Sequence, residues 1–311
     1  MSRRIEAAAL ARVLTPELLR AQGYSADLAE KAAADGDWQR GAGGIYLPHS
    51  RPATDMDLVA VAREHLGPQH LVTGLVVLRA LNLRWLPADP QLHALVPANV
   101  ERAGGRLIRV TRTSCYDGIE TWVRYGSKFV TAERAVVDAA RAQSNLRDVR
   151  GVVLGAVADR WATPDELLEI LARGQRNGSA LTRRAIRDAE RGCASPPEAE
   201  LVDALVGKGV PFYVNAKIYL GDVLLGSPDV WLVGRGVGGE VESVEWHGDD
   251  DQTESTYDRH ERMTAPGLEL VHLSVRRVRK DVEEAATHLL STTPVVEPPG
   301  LRVVPRGPLL R

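Results

Sequence analysis

Cysteine is nearly absent from this sequence: Cys115 and Cys193 are the only two, far apart and at no metal-ligand spacing. That excludes a disulfide framework and points to two reduced, buried thiols. Long apolar runs are missing as well. No stretch approaches the ~20 residues a membrane helix needs, and residues 1–6 lack the apolar segment of a secretory leader. A soluble, cytoplasmic protein with no membrane partner is therefore expected. Charge of one sign is lacking too, since 39 Lys and Arg stand against 41 Asp and Glu. Nucleic-acid binding must then rest on local patches rather than on the field of the whole chain.

What is present suits a protein with real cores. Hydrophobic residues make up 44% and charged residues 26% of 311 positions, a length of two or three domains. The local signals predict a multidomain chain of α/β and α+β type. Residues 5–14 are alanine-rich and helical. Thr15 and Pro16 open a second helix that Gly23 ends, and Ser25 caps a third that runs to Asp35. Two β-prone runs, 38–40 and 45–47, flank a glycine-rich turn and read as a hairpin. Helices followed by a hairpin form the layout of a winged helix-turn-helix over residues 1–50.

A mixed middle domain follows over residues 51–192. Helices are expected over 57–65, 72–81, 131–141 and 179–190, and strands over 92–96 and 106–110. Thr163 and Glu166 make a capping box that opens another helix through Arg173. An α/β domain over 193–291 and a proline-rich, loosely held tail over 292–311 complete the chain.

The third domain carries the chemistry. Glu198 lies at the start of a helix opened by Ser195, Pro196 and Pro197. Pro228 and Asp229 begin one strand; Glu240, Val241 and Glu242 lie on the next, across a glycine-rich connection. Side chains alternate along a strand, so Glu240 and Glu242 share a face and Val241 takes the other. If Asp229 shares that face, three carboxylates converge, and a divalent cation is their natural counter-charge.

Over residues 195–280 this order of parts resembles the PD-(D/E)xK nuclease superfamily, specifically its Vsr-like endonuclease branch. The resemblance implies a restriction-endonuclease-like fold in which Asp229 and Glu240 hold Mg²⁺, which activates water for phosphodiester attack. It offers Glu198 as an extra acid and places His247 near the site. Glu198 reads equally well as half of a capping box with Ser195, and His247 as a ligand, a proton carrier or a surface residue. Glu242 stands where the superfamily motif has lysine. A carboxylate does not stabilise charge on phosphate as lysine does, so the implied domain is of doubtful activity.

Residues 18–25, 43–47 and 130–141 are similar to the N-terminal and middle regions of AbiEi-type antitoxins, which are transcriptional autoregulators. That resemblance implies DNA and a cognate toxin as partners. The third helix carries Asp27, Glu30 and Asp35 against Lys31, so Gln22, Gln39 and Arg40 are the better DNA contacts. A winged helix used for protein contact fits as well. Arg183, Arg184, Arg187 and Arg191 cluster on one helix, as a solvated face or a track for a DNA backbone. Three functions remain open: a DNA-associated regulator or defence protein of antitoxin type whose nuclease-like domain cleaves little or not at all, an active Mg²⁺-dependent endonuclease, and an interaction scaffold without nucleic acid.

Overall fold

A computed structural model describes residues 12–174, 178–242 and 260–311. Within them the chain is mixed α/β, with helices and several sheets. It divides into two compact units, residues 1–144 with 159–179, and residues 145–158 with 180–311.

The first unit begins as its caps dictate. The expected helix over 5–14 lies outside the described residues except at its end, where Leu14 bridges Tyr46. Thr15 accepts from Leu18 N and opens α1 (Pro16–Ala21); Ser25 accepts from Leu28 N and opens α2 (Ala26–Ala34). Strands β1 (Gln39–Arg40) and β2 (Tyr46–Leu47) pair antiparallel. Leu14, Leu19, Tyr24, Ala29, Trp38 and Tyr46 form one core beneath these elements.

Next come α3 (Asp55–Leu66), β3 (Leu71–Thr73), α4 (Leu75–Ala80), β4 (Leu92–Pro97), β5 (Ile108–Thr113), β6 (Thr121–Arg124), β7 (Ser127–Val130) and α5 (Ala132–Ala142). The strands form one mixed sheet in the order β5-β4-β3-β7-β6. The helix expected over 72–81 is shorter, because 71–73 is a central strand and Gly74, at φ 68°, breaks the chain there. A short apolar run buried on both faces reads alike as strand or helix. Cys115, expected to be buried, is exposed, whereas Cys193 is buried.

Helix α6 (Leu146–Ala158) belongs to the second unit, while α7 (Pro164–Arg173), opened by the Thr163–Glu166 capping box, belongs to the first. The second unit continues with α8 (Ala180–Glu190), α9 (Pro196–Leu205), β8 (Phe212–Val214), β9 (Lys217–Leu220), β10 (Val223–Gly226), β11 (Val230–Leu232), β12 (Val237–Glu242), β13 (Glu269–Ser274), α10 (Val275–Lys280), α11 (Val282–Ser291) and β14 (Leu301–Val304). Its main sheet runs β13-β12-β11-β8, with β12 and β13 parallel and the other neighbours antiparallel.

Strand alternation sorts the residues of that sheet. Phe212, Val214, Val230, Leu232, Val237, Val271 and Leu273 face a core shared with Leu201, Leu205 and Leu289 of the helices. Trp231 and Leu270 face the other way and pack with Ile218, Leu225, Met263 and Leu268. The tail is not loose. Its residues 301–304 pair with β9, and Leu310 exchanges backbone hydrogen bonds of 3.0 Å with Phe212. Pro298, Pro299, Pro305 and Pro308 flank that strand rather than interrupt it, so they cost it no ladder bond.

Candidate functional site

The polar end of the main sheet's second face gathers the titratable groups. Glu240 and Glu242 project there because Val241, between them, packs toward the helices. Parallel pairing sets His272 of β13 directly beside Glu240. His272 Nδ1–H donates to Glu242 Oε1 at 2.8 Å, and His272 Nε2 lies 2.8 Å from His260 Nδ1. One ligand atom from each of Glu240, Glu242 and His272 lies within 4.8 Å of the other two. Glu240 is 4% exposed, while the Glu242 and His272 side chains are 42% and 33% exposed, so the group opens from a buried acid to solvent.

Asp229 stands one residue before β11, whose first residue, Val230, pairs with Gly239. Extending that register by one step puts Asp229 opposite Glu240. Its Oδ2 accepts from Val241 N at 2.7 Å, which ties the carboxylate to β12. Asp229 is thus beside the Glu240–Glu242–His272 group, with one oxygen spent on the backbone.

Glu198 is held by a different set of bonds. Its Oε2 accepts from Ala194 N and from Asn215 Nδ2, both at 2.9 Å, and its backbone N donates to Ser195 Oγ at 3.4 Å. Burial pushes its carboxyl above the ordinary range, opposed by those hydrogen bonds and by the charge of Arg306. Asn215 N donates in turn to Asp229 O at 3.1 Å, so Glu198 braces the backbone that carries Asp229. Ser195 caps the helix, but the reciprocal half of a capping box is replaced by the bond to Ala194 N. His247 lies outside the described residues.

The arginine cluster is mostly committed within the second unit. Arg150 Nε donates to Asp188 Oδ2 at 2.9 Å, and Arg150 also pairs with Asp203. Arg184 pairs with Asp203, and Arg191 reaches Asp188 and Asp203 at 3.5 Å. Arg187 is exposed and Arg183 half-buried, and neither makes an ion pair among the described residues. The stripe expected from the spacing is therefore broken: Arg191 lies past the end of α8 and turns inward.

In the first unit, Gln39 Nε2 donates to Arg51 O at 2.6 Å and to His49 O at 3.2 Å, and Arg40 Nε to Glu30 Oε2 at 2.7 Å. Two of the three residues expected there as DNA contacts, Gln39 and Arg40, thus have intramolecular roles.

No family model and no curated protein matches the chain. Among solved structures it is similar to the Rv2827c protein from Mycobacterium tuberculosis, at a TM-score of 0.42 and 13% identity, over 64% of this chain and 78% of that one. At that level the likeness identifies neither fold nor activity.

The donor set itself is more informative. Ligands about 2.1 Å from a small divalent cation lie roughly 3–4.2 Å apart, so the 4.8 Å grouping needs only side-chain adjustment. Two carboxylates and an imidazole suit Mn²⁺ or Zn²⁺ better than Mg²⁺, which prefers oxygen alone. His272 was not among the acids and bases singled out from the sequence. Its signal is faint: a polar residue in an apolar strand, thirty residues from Glu242.

Among the described residues no helix is long and apolar enough to cross a membrane.

Proposed function

We propose that the protein is a DNA-associated regulator or defence protein of AbiEi antitoxin type, whose second unit is a nuclease-fold domain that works with a divalent cation. The regulator part of this reading rests on the resemblance of residues 18–25, 43–47 and 130–141, and the cation part on the convergence of Glu240, Glu242 and His272, with Asp229 beside them. Glu240, Glu242 and His272 would hold the cation. Bound there, it would supply charge to a phosphodiester and lower the pKa of a water. Asp229 positions β12 through Val241 N, and His260 orients the His272 ring. Glu242, which stands where lysine is expected, is on this reading a cation ligand.

Incubating the purified protein with plasmid, mismatched and single-stranded DNA tests the reading, with Mn²⁺ or Mg²⁺ and beside Glu240→Gln and His272→Ala. The expected result is cation-dependent cutting, stronger with Mn²⁺ and lost in both variants. Absence of cutting with either cation, or cutting that survives in the variants, overturns it.

A second reading, DNA binding without cleavage, draws on one observation: Glu242 stands where the resembled motif has the lysine that meets developing phosphate charge. It expects salt-sensitive DNA binding and no cutting.

A further inference from the structure

A polar row crosses the first unit's sheet where packing alone would place apolar side chains. Thr73 of β3 pairs with His93 of β4, and His93 pairs with Arg109 of β5, so the three share one face. Two residues along β3 and β4, the same face carries Leu71 and Leu95. Thr73 and His93 are buried, at 2% and 6% exposure, whereas Arg109 is exposed. Leaving a buried polar group without partners costs about 1–3 kcal/mol, and this row is supported against that cost. Asp138 Oδ2 on α5 accepts from Thr73 Oγ at 2.7 Å and from Arg134 Nε at 2.9 Å. Asp89 Oδ2 accepts from His93 Nε2 at 3.1 Å.

These groups line a cleft of about 1100 Å³ walled by β4, β5, α5 and α7. Burial pushes the His93 imidazole below its ordinary pKa, so the ring is neutral at pH 7 and, with Nε2–H given to Asp89, has Nδ1 as an acceptor. Gly74 sits against it at φ 68°, where an added Cβ would lie 3.1 Å from Nδ1. Arg109 has no ion pair among the described residues, and Arg112 gives Nε to Val100 O at 3.0 Å. Glu133, Asp117 and Glu120 also line the cleft, while Glu169 is paired with Arg173.

We propose that this cleft binds a phosphorylated small molecule of nucleotide size, its phosphate on Arg109 and its hydroxyl or amino groups on His93, Asp138 and Glu133. A guanidinium fork without a partner matches phosphate oxygens. Neutral imidazole and carboxylate acceptors suit the donors of the remaining part. The volume lies just above the roughly 300–1,000 Å³ usual for small-molecule sites, and a few convergent polar groups held by second partners are the mark of one. The inference is independent of the cation site in the second unit.

Isothermal titration with ADP and, separately, inorganic pyrophosphate tests it, in EDTA so that no divalent cation bridges phosphate to the second unit. The expected result is saturable one-site binding of ADP, weakened at least tenfold in Arg109→Ala and in His93→Gln and unchanged in His272→Ala. Arg109 is exposed, so Arg109→Ala should melt with the wild type, and Arg109→Glu gives a second variant at the same position. Absence of saturable binding of both probes overturns the proposal. So does wild-type affinity in Arg109→Ala and Arg109→Glu, or loss of binding in His272→Ala.

Discussion

Replacing Glu198 separates a bracing role from a catalytic one. Two donors, Ala194 N–H and Asn215 Nδ2–H, converge on a single oxygen, Oε2, inside the second unit. In Glu198→Ala both lose their acceptor, at about 1–3 kcal/mol each, which makes a loss of roughly 4 kcal/mol the central expectation. A domain of roughly 150 residues shifts by about 2–4 °C per kcal/mol, so Tm should fall on the order of 10 °C. Glu198→Gln keeps a carbonyl with two lone pairs where Oε2 sits, and should melt near the wild type at neutral pH. The pH dependence adds a second reading of the same site. Burial raises the folded pKa of Glu198 above its ordinary 4.5, so the group's contribution is complete below that value and is lost as pH rises through the folded one. Glu198→Gln should remove that slope. Thermal melts of the three proteins between pH 4 and 8 measure both effects. If Glu198→Ala is as stable as the wild type, or more so, the bracing argument is wrong and Glu198 is free for chemistry.

Three further outcomes are expected. In Gly239→Ala the new Cβ would lie 2.9 Å and 3.2 Å from the two methyls of fully buried Leu289; a lower urea midpoint at unchanged slope is expected, corresponding to a stability loss of about 1–3 kcal/mol. Arg150→Ala strands Asp188, a buried carboxylate whose pKa burial already raises, and should cost about 3–5 kcal/mol; a loss under 1 kcal/mol in chemical denaturation would mean Arg184 and Arg191 suffice. His70 is held below its ordinary 6.5 by burial, so stability from keeping it neutral is present above that value and lost as pH falls through the folded one. His70→Phe should flatten that acid limb of the melting curve, and an unchanged limb would exclude His70 as its source.

Short-range signals were legible. Thr15, Ser25, Thr163 and Ser195 each accept from a backbone N–H at the helix start the sequence indicates. The pairing of β11 with β12, and the shared face of Glu240 and Glu242, also follow from turn and alternation. Helix α6 has a cap that the sequence offers, Asn145 accepting from Asp148 N at 2.9 Å, yet it is absent from the expected elements, as are β6 and β7. The tail is held rather than loose because proline forbids helix without forbidding an edge strand between prolines.

What the sequence determined by itself is therefore local: caps, turns and which residues of one strand lie on one side. Those depend on contacts within a few positions. Partners that meet across long separations were decided by tertiary structure alone. His272 joined Glu240 because β13 pairs parallel with β12, and Glu198 turned toward Asn215 rather than toward the carboxylates. Arg184 and Arg191 became the counter-charges of Asp188 and Asp203. A charged residue carries no mark of which opposite charge will reach it, because Coulomb attraction acts on distance in the fold and not along the chain.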